Sequence, residues 1–310
     1  MNAPSTRPAP ADEITLVCAD GVRLGGHLWR SESAVRGRVV INCATGVAAR
    51  YYHRYARFLA GQGFEVLTYD YRGIGLSRPP QLRGCGFRWR DWGEQDCDAA
   101  LRLMRERGGP LLVVGHSIGG FLPGLASSGG AIDRMLTIGA QYAWWGDYAR
   151  RARLRLLLKW HVAMPAMTAF YGYFPGRRLG WLEDLPGGVA HEWSFRGPRF
   201  ERSHPPGERA AAVARMAAVT APILAIAVSD DEIGTPAAVA RTLAYYAGAA
   251  RTAVTLRPGD CGRPAIGHFD LFHDRHASGF WIDTLLWLRD GRNPWPGRVA
   301  QQWEAAAGRR

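Results

Sequence analysis

Residues 111–121 read LLVVGHSIGGF: four apolar residues, then Gly115-His116-Ser117-Ile118-Gly119, then Gly120 and a helix-like continuation. A G-x-S-x-G pentapeptide carries little weight by itself, because in a chain with 38 glycines in 310 residues a chance match is roughly a one-in-six event. Its setting gives it weight. A buried strand that runs into a glycine-flanked serine and then a helix makes a tight strand–turn–helix, which projects the serine above the end of a sheet. The flanking glycines permit the turn and a close helix–strand approach.

Working outward, the same punctuation recurs. ITLVCAD and VRLGGHLW (residues 14–29) are two short β-like runs split by Asp20-Gly21, a hairpin signal. RVVINCAT (38–45), FEVLTYDY (64–71), LLVV (111–114), MLTIGA (135–140), PILAIAVSD (222–230) and TAVTLRP (252–258) are strand candidates. Between them lie helical patterns: RYYHRYARFLAGQG, residues 92–107, SIGGFLPGLASS, PAAVARTLAYYAG and a closing amphipathic FDLFHDRHASGFWIDTLLWLRD (269–290). Strand and helix alternate in βαβ-sized units. The expected fold is therefore α/β: a doubly wound, mostly parallel sheet with helices on both faces and an N-terminal antiparallel hairpin at one edge.

Residues 141–215 break the alternation and are rich in Trp, Tyr, Arg and Pro. They are expected to form an inserted helical lid over the sheet's carboxyl edge, where open α/β sheets place ligands. The expected organisation is a lead-in over 1–12, a core over 13–140 and 216–295, the lid over 141–215, and a tail over 296–310.

Composition narrows the partners. The net charge of +12 is almost all arginine, Lys159 being the only lysine, and it is spread along the chain. The one dense cluster, Arg150, Arg151, Arg153 and Arg155, lies next to Leu154, Leu156, Leu157 and Leu158, and no nucleic-acid motif accompanies it. Solvated arginines on a lid helix are the ordinary reading, with membrane-surface contact by segment 150–160 as the minor one. No nucleic-acid partner is expected. Five widely spaced cysteines fit neither a disulfide framework nor a CxxC zinc site, and the N-terminus lacks the apolar core of a signal peptide. The expected setting is cytoplasmic. His268, His273 and His276 lack supporting carboxylate or thiolate spacing, so no metal and no cofactor is expected.

A serine needs a base, and the base an orienting group. In a strand–turn–helix of this kind the chain order is serine, acid, histidine. VSDDEIG ends a strand in Asp230, Asp231 and Glu232, and AIGHFDLF places His268 after the last expected strand. Asp231 is the favoured acid, and Asp230 the alternative. Oxyanion donors are expected from the backbone N–H of Ile118 and from that of Thr45 or Gly46.

Ser117, Asp231 and His268 in this order resemble the triad of the α/β-hydrolase superfamily. YDYRGIGLS (69–77) is similar to that superfamily's D-x-R-G-x-G-x-S loop, at Asp70, Arg72, Gly73, Gly75 and Ser77. The resemblance covers about residues 13–290 and is closest to the serine-aminopeptidase-like or monoglyceride-lipase-like branch. YGYFPG, EDLPGGVAHEW, VSDDE and IGHFDLF resemble a bacterial group of α/β hydrolases more narrowly. One departure is Cys43-Ala44-Thr45-Gly46 where many relatives have His-Gly. The resemblance implies a serine hydrolase acting on a carboxylic ester, thioester or amide of a small molecule through an acyl-enzyme. An acyltransferase with the same triad, or an inactive binding protein on this fold, are the alternatives. Trp144, Trp145, Tyr171, Tyr173, Phe174, Trp181 and Trp193 suggest an apolar acyl or aryl pocket, with Trp144, Trp145 and Tyr173 its first candidates. They would otherwise only pack the lid onto the sheet.

Overall fold

The apolar runs are strands, and the Gly- and Asp-rich breaks between them are turns. In the computed structural model, which describes residues 11–31 and 33–306, β1 (Asp12–Val17) and β2 (Arg23–Trp29) form the hairpin about Asp20-Gly21. The expected lead-in lies outside the described residues up to residue 10, and Asp12 already belongs to β1. Then come β3 (Gly37–Asn42), β4 (Phe64–Tyr69), β5 (Leu111–His116) and β6 (Arg134–Ile138). A two-stranded ribbon, β7 (Tyr173–Phe174) with β8 (Leu185–Pro186), stands apart from the main sheet. β9 (Ile223–Val228), β10 (Arg251–Leu256) and β11 (Val299–Trp303) complete it.

Among the described residues, the main sheet has nine strands in the order β1-β2-β4-β3-β5-β6-β9-β10-β11. From β4 to β10 every pairing is parallel, and only the β1–β2, β2–β4 and β10–β11 pairs are antiparallel. Every residue of β4, β5 and β9 is buried. Strands covered on both faces have no reason to alternate, which is why they read as continuous apolar runs.

Right-handed crossovers then place the helices. The chain steps one way from β3 to β4 and the other way from β4 to β5 and onward, so the crossover helix His53–Gly61 lies on the face opposite the later ones. The C-terminal helix Phe280–Asp290 joins it there. The Tyr55 hydroxyl is 2.8 Å from Thr284 Oγ1, and the Tyr55 and Trp281 rings meet edge-on at 5.3 Å. The reversal opens a crevice beyond the carboxyl ends of β3 and β5, where doubly wound sheets bind ligands. Thr45 and Ser117 follow those two strands.

Four details differ from expectation. SIGGFLPGLASS forms three 3-10 turns, not an α-helix. Pro123 has no N–H for the carbonyl of Gly119, and the glycines at 119, 120 and 124 weaken helical continuation. The closing helix begins only at Phe280, so His273 and His276 stand in or beside short 3-10 turns. There Asp270 Oδ2 lies 2.8 Å from His276 Nε2, and Gly279, with non-helical backbone, directly precedes the helix. The expected tail contributes β11, whose Trp303 ring receives the Arg251 guanidinium at 5.6 Å. Last, the 215/216 boundary falls inside the helix Arg209–Ala217, which packs on the helix Pro236–Tyr245 of the sheet layer.

Residues 141–215 carry the ribbon and several short helices. The stretch Arg153–Leu157, a π-helical turn Leu158–Ala163 and Met164–Tyr171 run on from one another. Leu154, Leu158, Val162 and Phe170 are exposed along it, the first three at four-residue spacing. Among the described residues, no helix is long and apolar enough to cross a membrane.

Candidate active site

Ser117 is the first residue past β5 and has φ 57°, a left-handed backbone that costs a non-glycine residue about 1–2 kcal/mol. Close packing holds it there. An added Cβ at Gly119 would stand 2.2 Å from the Asn42 carbonyl oxygen, and one at Gly115 would meet the Gly119 oxygen at 2.5 Å. Gly119 thus lets the turn close on β3, and Gly115 lets the turn fold back on its own strand. Ser117 is 3 % exposed, at the floor of a cavity of about 370 Å³ that His268, Thr45 and Gln141 also line.

The acid is placed by the turn after β9. His268 Nδ1 donates to Asp231 Oδ2 at 2.6 Å, while Asp231 Oδ1 accepts the N–H groups of Ile233 and Gly234 at 2.8 and 2.9 Å. Burial acts to raise the Asp231 pKa, but His268 and the two N–H donors outweigh it and hold the carboxyl below its ordinary value. Because the carboxylate accepts, Nδ1 of His268 carries a proton. Asp230 plays a different part. Its two oxygens accept the N–H groups of Ile266 and Gly267 at 2.9 and 3.0 Å, fastening the loop that carries His268.

A second network lies behind the histidine. The Tyr52 hydroxyl accepts the Ala44 N–H at 2.9 Å and donates to His116 Nδ1 at 2.7 Å; His116 Nε2 donates to the His268 carbonyl at 2.8 Å. Burial pushes the His116 pKa down to about 3, with His268 adding to the effect. A neutral imidazole with its proton on Nε2 therefore ties together the loop after β3, the serine turn and the His268 loop.

Of the expected oxyanion donors, Thr45 lines the serine's cavity, and its hydroxyl is buried without a partner among the described residues. Ile118 directly follows Ser117 and lines a separate small cavity with Phe121 and Leu122. Gly46 instead lines a neighbouring cavity, and its carbonyl accepts the Glu183 N–H at 2.8 Å, docking the inserted segment on this loop.

The expected pocket aromatics need correcting. Trp144, Trp145 and Tyr173 do not line this cavity. The Trp144 ring is covered by the Arg241 guanidinium at 4.2 Å, Trp145 is 40 % exposed, and Tyr173 is held in the β7–β8 ribbon. The walls are Trp160, Trp181 and Trp193, with Leu156 and Leu182. Trp160 and Trp193 stack at 4.7 Å, and Trp160 meets Trp181 edge-on at 5.7 Å.

Gln141 was not anticipated from the sequence. Its Nε2 donates to Ser117 Oγ at 2.9 Å, and its Oε1 accepts the N–H of Ala143, a residue itself at φ 63°. The available signal was position: Gln141 lies three residues beyond β6, at the same sheet edge as Ser117. Among the described residues, no group of three or more His, Cys, Asp or Glu side chains is arranged to hold a metal ion.

Sheet order and the comparisons with known proteins agree. The chain has the α/β-hydrolase fold and is similar to the monoglyceride-lipase-like branch. Residues 33–167 match the serine aminopeptidase S33 family. The chain is 28 % identical over 106 residues to a monoglyceride lipase of Saccharomyces cerevisiae. That match spans 33 % of this chain and 34 % of the yeast protein, about a third of the relative's length. Among solved structures, a soluble variant of monoglyceride lipase from the same yeast, in complex with a substrate analog, superposes with a TM-score of 0.63. It is 17 % identical, over 93 % of this chain and 98 % of that one. An esterase of Pyrococcus furiosus superposes with a TM-score of 0.57 at 13 % identity, over 90 % and 91 % of the two chains. At these identities the superpositions establish the shared fold.

Proposed function

We propose that this α/β hydrolase is a serine hydrolase that cleaves a carboxylic ester, thioester or amide through an acyl-enzyme on Ser117. The observation that carries the reading is the 2.6 Å bond from His268 Nδ1 to Asp231, made by a histidine that shares one cavity with a serine held at positive φ. That bond leaves Nε2 of His268 as the base. It takes the Ser117 proton as Oγ attacks the carbonyl carbon, and the Asp231 carboxylate stabilises the imidazolium that forms. The same proton passes to the leaving group as the tetrahedral intermediate collapses, and water, activated by Nε2, then releases the acid.

The oxyanion needs donors fixed in advance. The N–H groups of Ile118 and Thr45 are the pair this reading assigns. The Ala44 N–H is engaged by Tyr52, and Gly46 faces the neighbouring cavity. The indole walls suit a small to medium apolar acyl or aryl arm.

Reaction with a fluorophosphonate probe and hydrolysis of 4-nitrophenyl butyrate test the reading. Wild-type protein should label at Ser117 and turn over the ester, and Ser117→Ala should do neither. Folded wild-type protein that neither labels nor turns over would overturn it, as would turnover that survives the substitution.

A further inference from the structure

The cavity above Ser117 carries a cation that the chemistry just described does not use. Lys159, the single lysine of the sequence, lies on the π-helical turn of the inserted segment and lines the same cavity as Ser117 and His268. Its Nζ sits 4.4 Å from the Trp160 ring centroid and 4.3 Å from that of Trp181, between two walls of the cavity. Two indole faces hold an ammonium group in place without neutralising it. Burial, helped by Arg155, lowers its pKa, the sign of a charge short of solvation.

The anions nearby are already engaged. Glu232 on the cavity rim pairs with Arg155 at 2.5 Å and with Arg151 at 3.4 Å. Asp230 accepts two backbone N–H groups, and Asp231 serves His268. Among the described residues, no carboxylate lies within ion-pair distance of Lys159, whereas both neighbouring arginines have one. A cation held on aromatic faces beside a reactive serine, with its counter-charge missing, is completed by an anion entering the cavity.

We propose that Lys159 is the counter-ion for an anionic group, a carboxylate or a phosphate, carried by the ester or thioester that Ser117 attacks. The inference rests on the serine-hydrolase reading and narrows its substrate class. One arm of the substrate is apolar against Trp193 and Leu156, and the other ends in a negative charge between Trp160 and Trp181. The charge belongs either to the acyl arm or to the leaving group.

Matched substrates separate these cases. Mono-4-nitrophenyl glutarate is compared with 4-nitrophenyl butyrate for charge on the acyl arm. S-butyryl-phosphopantetheine is compared with S-butyryl-pantetheine for charge on the leaving group. The expected result is a preference of at least about tenfold in kcat/KM for the charged member of one pair. The first pair assigns the charge to the acyl arm, the second to the leaving group. In Lys159→Met, which keeps the apolar stem, that ratio should fall towards one, and Lys159→Arg should restore most of it. No preference in either pair, or a preference that survives Lys159→Met, overturns the proposal. In both of these outcomes Ser117-dependent turnover of the neutral esters leaves the hydrolase reading standing.

A readout without turnover keeps the two readings apart if hydrolysis itself fails. Quenching of tryptophan fluorescence by phosphopantetheine and by glutarate, against pantetheine and glutaramide, is measured in Ser117→Ala with and without Lys159→Met. Tighter binding of a charged ligand that depends on Lys159 supports the proposal. Equal affinities overturn it.

Discussion

Gln141 holds Ser117 by a hydrogen bond whose direction is set two residues away: because its Oε1 accepts the Ala143 N–H, its Nε2 must be the group that faces Ser117 Oγ at 2.9 Å. The hydroxyl therefore accepts from Gln141 and keeps its own proton for the base. Gln141 also donates its backbone N–H to the Ser117 carbonyl at 3.3 Å, so one residue buttresses both ends of the strained serine. Replacing it with leucine should slow fluorophosphonate labelling of Ser117 about five- to tenfold, the worth of roughly 1 kcal/mol. Equal labelling rates in the two proteins would show that this bond is only structural.

Adjacent aspartates predict different defects. Asp231→Asn removes the acceptor that holds the proton on His268 Nδ1, and kcat should fall by about 10³–10⁴ with little change in KM. Asp230→Asn weakens two backbone bonds of the His268 loop and should cost about tenfold, together with a lower melting temperature. Steady-state kinetics and a melting curve of each variant check the pair; equal losses would mean that the two carboxylates had been assigned wrongly.

Tyr52→Phe strips one hydroxyl from between two buried partners, the Ala44 N–H and His116 Nδ1. Each is left without its bond, so the expected loss of stability is about 1–3 kcal/mol, read from urea denaturation at neutral pH. Activity should fall as well, since the same chain of bonds positions the loop after β3 and the His268 backbone.

His116 makes stability depend on acidity with a definite sign. Its folded pKa is pushed down to about 3, whereas in the unfolded chain it protonates near 6.5. Below about pH 6.5 the unfolded state alone takes up this proton, so stability falls as pH falls, by up to about 1.4 kcal/mol per pH unit, until about pH 3. His53, lowered to about 4 chiefly by burial, acts in the same direction. Denaturation midpoints at pH 7, 5.5 and 4.5 should fall in that order, and His116→Gln should flatten the slope. A slope unchanged in that variant would refute the assignment.

Ending the chain after Gly297 removes β11 and uncovers the edge of β10. The cover contributed by Trp303 on Arg251, and the bond from Arg251 to the Glu304 carbonyl at 3.1 Å, would go with it. An open parallel-sheet edge pairs with other chains, so the truncated protein should scatter light on mild heating while the full chain stays clear.

What the sequence determined by itself is everything that short-range chemistry encodes. Fully buried strands must be apolar throughout, hairpins need residues such as Asp20-Gly21, and a serine turn folded on its own strand and packed against β3 needs Gly115 and Gly119. The strands themselves, their mostly parallel pairing and the N-terminal hairpin were legible for that reason. Local patterning also misled: Pro123 and its neighbouring glycines replaced a helix with 3-10 turns, and Gly279 breaks the stretch where the last helix was expected to run on.

Tertiary structure alone decided matters that depend on which distant groups meet. The sequence favours Asp231 over its neighbour Asp230 without separating their parts, and only the direction of each side chain gives one to His268 and the other to the backbone of its loop. An aromatic-rich insertion announces indoles, yet packing determines that Trp160, Trp181 and Trp193 face the serine while Trp144 is covered by Arg241. Gln141, Tyr52 and Lys159 carry no motif. Their roles arise because a hydrogen bond or a charge acts over a few ångströms of space, between residues that the chain separates by tens of positions.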